Sequence, residues 1–544
     1  MSVQFKKKIM LPLMLAGVLT LGFLLGTRIQ ESNLQQHYLT VQKWNKFNTI
    51  LNYIDKGYVD YIPHKDIEEK SIAAVLKSLD PHSIYIPATE MEKTNEPLEG
   101  NFDGIGIIFN MLSDTVVVMN IVVGGPSERV GIQPGDRIIT VNDSVIAGKK
   151  LMQDSVIRLL RGKSGSKVKV GLQRTGEKNL VAITITRGKI PLKSVDVAYM
   201  STPHTGYVKI SKFSRSTCEE FREAAKKLLN EKMQNLVIDL RDNTGGYLDQ
   251  AVEIANEFLE ADALIVYTEG KNSVRKDYVA NRHGLLKRTP VAILINEGSA
   301  SASEVLAGAI QDNDRGIIVG RRSFGKGLVQ EPVFFNDGSG MRLTVARYYT
   351  PTGRCIQRPY SGNENDEYYW EIQRRYEHGE MSTEDSIKQN DSLRYTTHSG
   401  KTVYGGGGIT PDFFVPIDTL NANSYYLKVF RKNLIYKFAL QFSDANRGKL
   451  SKIKSFSELN SYLRRRNLAG KFSIYAMNHG VTGSSEEVRN CQKLISSQIK
   501  AQIGRSTPLD DEGFYPFLDN VDDALQIAIK NLEKQPNNEC VKVN

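Results

Sequence analysis

The chain has 544 residues, more than a single hydrophobic core normally organises, so about three or four domains are expected. Hydrophobic residues make up 40% of it and charged residues 24%, values typical of a folded protein, which exclude wholesale disorder. The formal net charge is +10, but the basic residues are spread along the chain, which favours solvated surfaces over a nucleic-acid groove. The four cysteines are widely separated and lack a CxxC spacing, which argues against a zinc site or a disulfide framework.

An apolar run near the N-terminus predicts a membrane anchor. The run from Ile9 to Gly26 carries no charge and stands between Lys6–Lys8 and Arg28. Its length is at the lower edge for a membrane-spanning helix, and no A-x-A cleavage site is evident. Lysines before such a run favour a cytoplasmic N-terminus with the remainder exported. We therefore predict that residues 1–30 anchor the chain in the inner membrane and that the rest faces the periplasm or cell envelope, with a cleaved signal as the alternative.

Residues 31–99 have apolar positions at spacings of three to four, which predict a mainly helical region. A second helix in this region is expected to end before Asp80-Pro81, where proline marks a break. His82 follows directly, and a base at this position is one interpretation. We favour a turn residue there, because no nucleophile lies nearby in the sequence.

Residues 100–188 change to alternating strands with glycine-rich turns, a short helix and a PxGD turn. This order resembles a PDZ domain. In that family a glycine loop binds the C-terminal carboxylate of a peptide, and this role falls on Gly104, Ile105, Gly106 and Ile107. The alternative is a tight strand-entry turn that binds nothing.

Strands and helices alternate over residues 189–419, which predicts an α/β domain of stacked βα units. Residues 355–408 are a polar, aromatic-rich insertion in this domain, without assignable chemistry. Residues 420–544 show helical periodicity and are predicted to form a C-terminal helical region. The fold class expected for the whole chain is therefore multidomain α/β.

The stretch from residue 291 to residue 330 carries the candidate chemistry. An apolar strand leads into a helix that begins among Ser299, Ser301 and Ser303, where free backbone N–H groups and hydroxyls come together. The three serines compete for the role of nucleophile. A serine at a helix start is most often only an N-cap, and we expect structural roles of this kind for Ser299 and Ser303.

Lys326, which lies between two glycines, is the candidate base. A lysine can accept a proton only when neutral, and burial lowers its pKa from the usual value of about 10.4. A surface lysine in a turn is the plain alternative. None of the eight histidines lies in a comparable glycine-rich or strand-end context. A phosphate-binding loop is excluded, because Gly327 replaces the Ser or Thr of that motif and Pro332 follows too soon for the required helix.

Taken together, the motifs resemble the C-terminal processing peptidases, also called tail-specific proteases. The resemblance covers residues 79–416. The matching segments occur in this order: residues 79–85, the PDZ-like segment, 296–304, 323–330, 348–354 and 407–412.

The resemblance implies a serine endopeptidase with an α/β protease core, in which Ser301 is the nucleophile, Lys326 the base and Gln330 a supporting residue. It implies no metal and no other cofactor. It also implies protein substrates with apolar C-terminal tails, and it allows a homo-oligomer. The rival hypothesis is a catalytically silent adaptor whose PDZ domain captures C-termini.

The oxyanion hole would then come from the Ala302 N–H at the helix start and an N–H of Gly245 or Gly246. Four residues of a strand span about 13 Å, whereas the same spacing on a helical turn brings Cβ atoms within roughly 6 Å. If Gln330 orients Lys326, the segment between them is therefore expected to curl.

Overall fold

The computed structural model describes residues 20, 46–112, 114–360, 365–418 and 422–534. The anchor predicted at residues 1–30 lies outside the described residues, apart from Thr20. Across the described ranges, no helix combines the length and apolarity that crossing a membrane requires. The chain divides into two compact units, Met1–Ser78 and Leu79–Asn544.

The first unit is helical where it is described. Residues 46–57 are helical, and helix α1 spans His64–Lys77. Asp66 in the first turn of α1 and Lys77 in the last turn have the charges that stabilise a helix dipole.

The second unit opens with a strand that the helical interpretation of residues 31–99 did not include. Strand β1 (Ile84–Ile86) pairs antiparallel with the strand Gly340–Tyr349 far along the chain. Three residues are too few to show a period, and the pairing partner is remote, so a local pattern cannot reveal this strand. Helix α2 (Ala88–Glu99) follows and ends at Gly100, whose φ of 71° suits a helix C-terminus.

The predicted PDZ-like segment forms a sheet of order β3-β4-β5-β7-β8, in which β6 also pairs with β5. Strand β2 pairs instead with β9 and closes the base of this domain. The valines, isoleucines and leucines that alternate along the strands form its core. Its elements are β2 (Asn101–Gly104), β3 (Ile107–Leu112), β4 (Thr115–Ile121), α3 (Pro126–Arg129), β5 (Arg137–Val141), β6 (Ser144–Val145), α4 (Gln153–Leu160), β7 (Lys167–Gln173), β8 (Val181–Thr186) and β9 (Gly188–Pro191).

The central domain is built on a six-stranded sheet of order β10-β11-β12-β15-β16-β21, parallel except where β10 meets β11. Every residue of β12 and β15 is buried, as expected for parallel strands covered on both faces. The strands are β10 (Val195–Met200), β11 (Thr205–Ile210), β12 (Asn235–Asp239), β15 (Val291–Ile295), β16 (Ile317–Gly320) and β21 (Phe413–Phe414).

Helices α5 (Thr217–Asn230), α6 (Leu248–Asn256) and α7 (Ala302–Asp312) cover one face of this sheet, and a helix from the C-terminal region covers the other. In parallel sheets of this kind, binding sites form at the carboxyl ends of the strands. The loops that follow β12, β15 and β16 contact one another at that edge.

A second sheet stands beside the first, with β1, β18, β13 and β14 in order and β17 paired to β18. Its remaining strands are β13 (Leu264–Glu269), β14 (Lys276–Val279), β17 (Leu328–Phe334) and β18 (Gly340–Tyr349). The expected insertion contains helix α8 (Asn365–Glu377) and the hairpin β19 (Arg394–Thr396) and β20 (Thr402–Tyr404).

The C-terminal region is helical, as predicted, and has its own apolar core. Its helices are α9 (Ser424–Arg431), α10 (Leu434–Ala445), α11 (Arg447–Leu450), α12 (Phe456–Arg464), α13 (Leu468–Asn478), α14 (Ser485–Arg505), α15 (Asp511–Phe514) and α16 (Asp523–Lys534). Helix α16 packs under the central sheet, while Tyr436 of α10 lies 3.1 Å from the Met119 sulfur in the PDZ-like domain. The predicted mixed α/β organisation with a helical C-terminal region is confirmed.

Candidate active site

Ser301 lies at the start of α7, directly after the loop that follows β15. Its φ of 56° and ψ of −115° are in a sparsely populated part of backbone space. Non-glycine residues held in such conformations cluster at functional sites. Its neighbours have structural roles: the Ser299 hydroxyl donates to the Leu240 carbonyl and the Ser303 hydroxyl to the Asn243 carbonyl, each at 2.8 Å. Of the three serines, Ser301 is therefore the one left for chemistry.

A buried carboxylate, Glu304, ties the serine to the lysine loop. One of its oxygens accepts the backbone N–H of Ser301 at 2.8 Å and that of Lys326 at 2.9 Å. Its other oxygen accepts the Ser323 hydroxyl at 2.5 Å and the Gly325 N–H at 2.7 Å. Burial raises the pKa of Glu304 above its usual value, and the four hydrogen bonds oppose that rise. The serine and the lysine are thus held in one site by a shared acceptor.

A buried phenol makes a second link between the same two residues. The Tyr348 hydroxyl donates to the Ser301 carbonyl at 3.1 Å and also to the Lys326 carbonyl. Because burial raises the pKa of Tyr348 well above its usual value, its hydroxyl stays protonated and remains a donor.

Lys326 is half-buried in the loop between β16 and β17 and is not exposed in a surface turn. Its amine donates to the Gln330 Oε1 at 3.0 Å and does not come within hydrogen-bond distance of the Ser301 hydroxyl. Burial is the main cause that lowers the pKa of Lys326, and the nearby Arg342 lowers it further. Asp80 and Glu304 act in the opposite direction. The hydrogen-bond partner of the amine is a neutral amide, not an acid.

The contact between Gln330 and Lys326 forms without the expected helical curl. Residue 326 precedes β17 and residue 330 lies within it, where the register with β18 shifts between Val329 and Gln330. A register shift of this kind bends a strand locally, and both side chains are long, so they meet without a helical turn. The Gln330 amide nitrogen donates to the His82 carbonyl.

The two predicted glycines differ in their availability for an oxyanion. The Gly245 N–H donates to the Asn243 side chain at 2.8 Å. In the described part of the chain, the N–H groups of Gly246 and Ala302 have no hydrogen-bond acceptor. A Cβ on Gly245 would lie 2.8 Å from the Ser301 Cβ and 2.9 Å from the Ala302 nitrogen, so only glycine fits beside the serine. The available donors are therefore Ala302 and Gly246.

The insertion, to which the sequence assigned no chemistry, supports the lysine loop. Arg375 of α8 is buried and donates to the carbonyls of Arg322 and Ser323 at 2.8 and 3.0 Å. The Arg358 guanidinium stacks on the Phe324 ring at 4.0 Å. These contacts hold the backbone just before Lys326.

The predicted PDZ peptide site is a small apolar cavity of about 150 Å³. Ile105, Gly106 and Ile107 line it, whereas Gly104 belongs to β2 and pairs with Gly188. Arg161 lies at its edge and donates to Glu96 of α2 at 2.5 Å.

Three residues that support the site, Glu304, Tyr348 and Asp80, lie in the matching sequence segments without a predicted role. For Glu304 a local signal existed, since a Ser followed three residues later by Glu is a capping-box pattern. Asp80 also has a local signal, because it accepts hydrogen bonds from the backbone N–H groups of His82 and Ser83, two and three residues ahead, as an aspartate at the start of a turn does. For Tyr348 no local signal exists, because its partners Ser301 and Lys326 are remote in the sequence.

Three segments of the chain match known protein families. Residues 204–368 match the family model of peptidase family S41, residues 104–185 that of the PDZ domain, and residues 425–507 that of a family of unknown function, DUF8443. The carboxy-terminal processing protease CtpB of Bacillus subtilis (strain 168) is 34% identical over 317 residues, which cover 58% of this chain and 65% of that protein. A probable CtpA-like serine protease of Staphylococcus aureus (strain N315) is 35% identical over 314 residues, covering 57% of this chain and 62% of that protein.

Among solved structures, the photosystem II D1 C-terminal processing protease is similar with a TM-score of 0.36 and 26% identity, covering 69% of this chain and 87% of that one. The match spans less than two thirds of the length of both curated relatives, at 65% and 62%.

Proposed function

Because this chain is a homologue of the carboxy-terminal processing proteases and carries their S41 peptidase and PDZ domains, we propose that it is a serine endopeptidase with a Ser301–Lys326 dyad. The observation that carries the proposal is the Glu304 carboxylate, which accepts the backbone N–H of both residues. Burial and the absence of an acid partner on the Lys326 amine support its role as a neutral base.

The proposed reaction begins with a short movement of the Lys326 amine from Gln330 towards the Ser301 hydroxyl, since catalytic hydrogen bonds are often long before substrate binds. The amine takes the hydroxyl proton as the serine oxygen attacks the scissile carbonyl carbon. The protonated lysine then gives that proton to the leaving amine, and water hydrolyses the acyl-enzyme with the lysine again as base.

The N–H groups of Ala302 and Gly246 are proposed to stabilise the negative oxygen of the tetrahedral intermediate. Both groups lack an acceptor in the described structure, and Ala302 is the first residue of α7, where the helix dipole favours negative charge. Loss of one such donor typically costs about 3–4 kcal/mol of transition-state stabilisation.

The substrates are proposed to be exported proteins with apolar C-terminal tails. The apolar lining of the PDZ cavity and the positive φ of Gly106, 74°, support capture of a peptide terminus by backbone N–H groups. A location in the cell envelope, anchored in the inner membrane and facing the periplasm, is proposed on the Lys6–Lys8 cluster and the apolar run alone. Protease digestion of intact spheroplasts, with an antibody to the C-terminal region, tests that orientation.

The deciding experiment incubates the purified full chain with an unstructured protein that ends in an apolar tail, and identifies products by mass spectrometry. We expect cleavage by the wild type and none by Ser301→Ala or Lys326→Ala, with Lys271→Ala, an exposed lysine, as the active control. Cleavage by either dyad variant would refute the dyad.

A silent adaptor predicts a different result in the same assay: binding of the tail without turnover by wild type. Amidation of the substrate terminus separates the two functions of the chain. If the PDZ cavity recognises the carboxylate, amidation weakens tail binding, while the sequence at the cleavage site is unchanged.

A further inference from the structure

A tight turn, residues 80–83, lies against the lysine site. Asp80 is buried, with 4% of its surface exposed. One of its oxygens accepts the N–H groups of His82 and Ser83, both at 2.8 Å, and the other accepts the Ser83 hydroxyl at 2.5 Å. An aspartate that bonds the backbone two and three residues ahead sets the shape of such a turn.

The turn reaches the lysine through one amide side chain. The His82 carbonyl accepts a hydrogen bond from the Gln330 amide nitrogen. Since a carbonyl can only accept, this contact determines that the Gln330 oxygen faces the other way, towards the Lys326 amine at 3.0 Å. The position of the His82 carbonyl therefore sets the orientation of the group that holds the lysine.

The turn is fixed on its other sides as well. The Ser83 hydroxyl accepts the Thr344 N–H of β18 at 3.1 Å. On the insertion side, the Tyr369 hydroxyl donates to the Pro81 carbonyl at 2.7 Å, and the Tyr368 hydroxyl lies 2.9 Å from the His82 Nε2. A turn held from both sides can place a carbonyl accurately.

From these contacts we propose that Asp80 is a positioning residue for the lysine base: it shapes the turn whose carbonyl orients Gln330 and thereby aims the Lys326 amine. This inference rests on the proposed function and names a residue that acts on the base from about 250 positions away in sequence. The hydrogen bonds of Asp80 go to His82 and Ser83 and not to Ser301 or Lys326, so it acts on the base through the turn.

The charge of Asp80 supplies a second, independent signature. Asp80 and Glu304 raise the pKa of Lys326, whereas Arg342 of β18 lowers it. His82 contributes no charge, because burial and Lys326 lower its pKa to about 3. Removing the charge at position 80 therefore lowers the pKa of Lys326. The effect of the charge can be measured as a shift in that pKa, and the effect of the turn geometry as a change in kcat.

The test substitutes Asp80→Asn, which keeps one acceptor oxygen and removes the charge. The matched control is Asp314→Asn, because Asp314 also accepts a hydroxyl and a backbone N–H in a turn but lies at the far end of α7. We expect Asp80→Asn to shift the pH dependence of Lys326 acylation by acetic anhydride to lower pH, measured by peptide mass spectrometry, and Asp314→Asn to leave it unchanged. This readout needs no turnover, so it stands even if the proposed function fails.

The geometric part is tested in kinetics. Ser83→Ala keeps the charge but breaks the link between Asp80 and β18, so we expect kcat to fall about tenfold or more, with KM and the acid limb of the pH profile unchanged. In a Gln330→Ala background, the further effect of Ser83→Ala should vanish, because both act through one chain of contacts. An unmoved acylation profile in Asp80→Asn, or additive kcat losses in the double variant, would overturn the proposal. Absence of turnover by the wild type would instead contradict the proposed protease function.

Discussion

At the scale of single residues, the site depends on the Lys326 amine. Its pKa is lowered, which favours the neutral form, and it still has a hydrogen-bond partner in Gln330. Desolvation and Arg342 lower the pKa of Lys326, while two buried or nearly buried carboxylates raise it. The balance matters because a base that is too easily protonated is lost at neutral pH, and one with too low a pKa has little driving force for proton transfer.

Arg342→Gln tests the positive side of that balance. Removing the guanidinium stabilises the Lys326 ammonium, so the pKa of Lys326 rises and the neutral base forms only at higher pH. We expect the acid limb of the kcat/KM profile to move to higher pH, opposite to Asp80→Asn. Arg137→Gln, which removes an arginine in the PDZ-like domain that is 3.9 Å from Asp444, serves as the control. An acid limb displaced equally in both variants would show a general charge effect instead.

Glu304→Gln tests the shared acceptor. The substitution keeps the shape but turns one acceptor oxygen into a donor, so at least two of the four donors would lose their acceptor. A buried unsatisfied group costs about 1–3 kcal/mol, and the serine and lysine lose their common support. We expect kcat to fall by at least tenfold with a lowered unfolding midpoint, followed by circular dichroism. Activity equal to wild type in a folded variant would show that Glu304 is dispensable.

Local sequence predicts part of this site well. Ser301 and Lys326 lie in short stretches whose glycines and helix start are visible in the sequence, and Ser299 and Ser303 have the structural roles expected of them. The supports are less visible, because the Gln330 contact with His82 joins residues 248 apart. No periodicity or turn signal encodes a contact at that separation.

At the scale of elements, the insertion has a role in the structure that its sequence does not predict. Its polar, aromatic-rich composition gives no chemistry, yet α8 places Arg375 against the backbone of the lysine loop and Tyr368 beside the Asp80 turn. Short elements are not predicted for a related reason: β1 has only three residues, and it is a strand because it pairs with the remote β18. Long periodic helices and buried strands, by contrast, are predicted from their own residues.

Arg375→Met tests whether the insertion supports the loop. The side chain is 4% exposed and pairs with Glu380 at 2.9 Å while donating to two carbonyls. Breaking a buried pair of this kind is destabilising by about 3–5 kcal/mol. We expect faster amide exchange in residues 321–327 and a lower kcat.

The control for that experiment is the adjacent Arg374→Met, whose guanidinium is exposed and donates only to the Glu367 carbonyl in the described residues. Amide exchange in residues 321–327 of Arg374→Met should match that of the wild type. Equal amide-exchange rates for these residues in Arg375→Met and Arg374→Met would mean that the loop is stable without support from the insertion.

At the scale of the whole second unit, the C-terminal region joins two parts that the sequence presents as separate. It contacts the PDZ-like domain through α10 and the central sheet through α16. The two oxygens of Asp522 accept hydrogen bonds from the guanidinium of Arg241, which begins the loop that carries Gly245 and Gly246. The C-terminal helical region therefore adjoins the loop that carries the proposed oxyanion-hole glycine.

The same attachment contains a pH-sensitive contact, Asp519, which accepts the hydroxyls of Tyr199 at 2.5 Å and Ser201 at 2.7 Å. Burial, aided by Asp522, raises the pKa of Asp519 to about 6, above the value of about 3.9 in an unfolded chain. The folded state therefore binds the proton more tightly. Its stabilising contribution is fully present below pH of about 4 and is lost as pH rises through about 6, a difference on the order of 3 kcal/mol.

Asp519→Asn should remove this dependence, because an amide has no proton to lose. We expect amide-exchange protection of residues 523–534, corrected for intrinsic rates, to fall between pH 4 and pH 7 in the wild type and to stay nearly level in the variant. Asp523→Asn, a neighbouring acid in the first turn of α16, should retain the wild-type slope. A slope that persists in Asp519→Asn would assign the pH response to another group, and the C-terminal region would then be attached by apolar packing of α16 without a titrating contact.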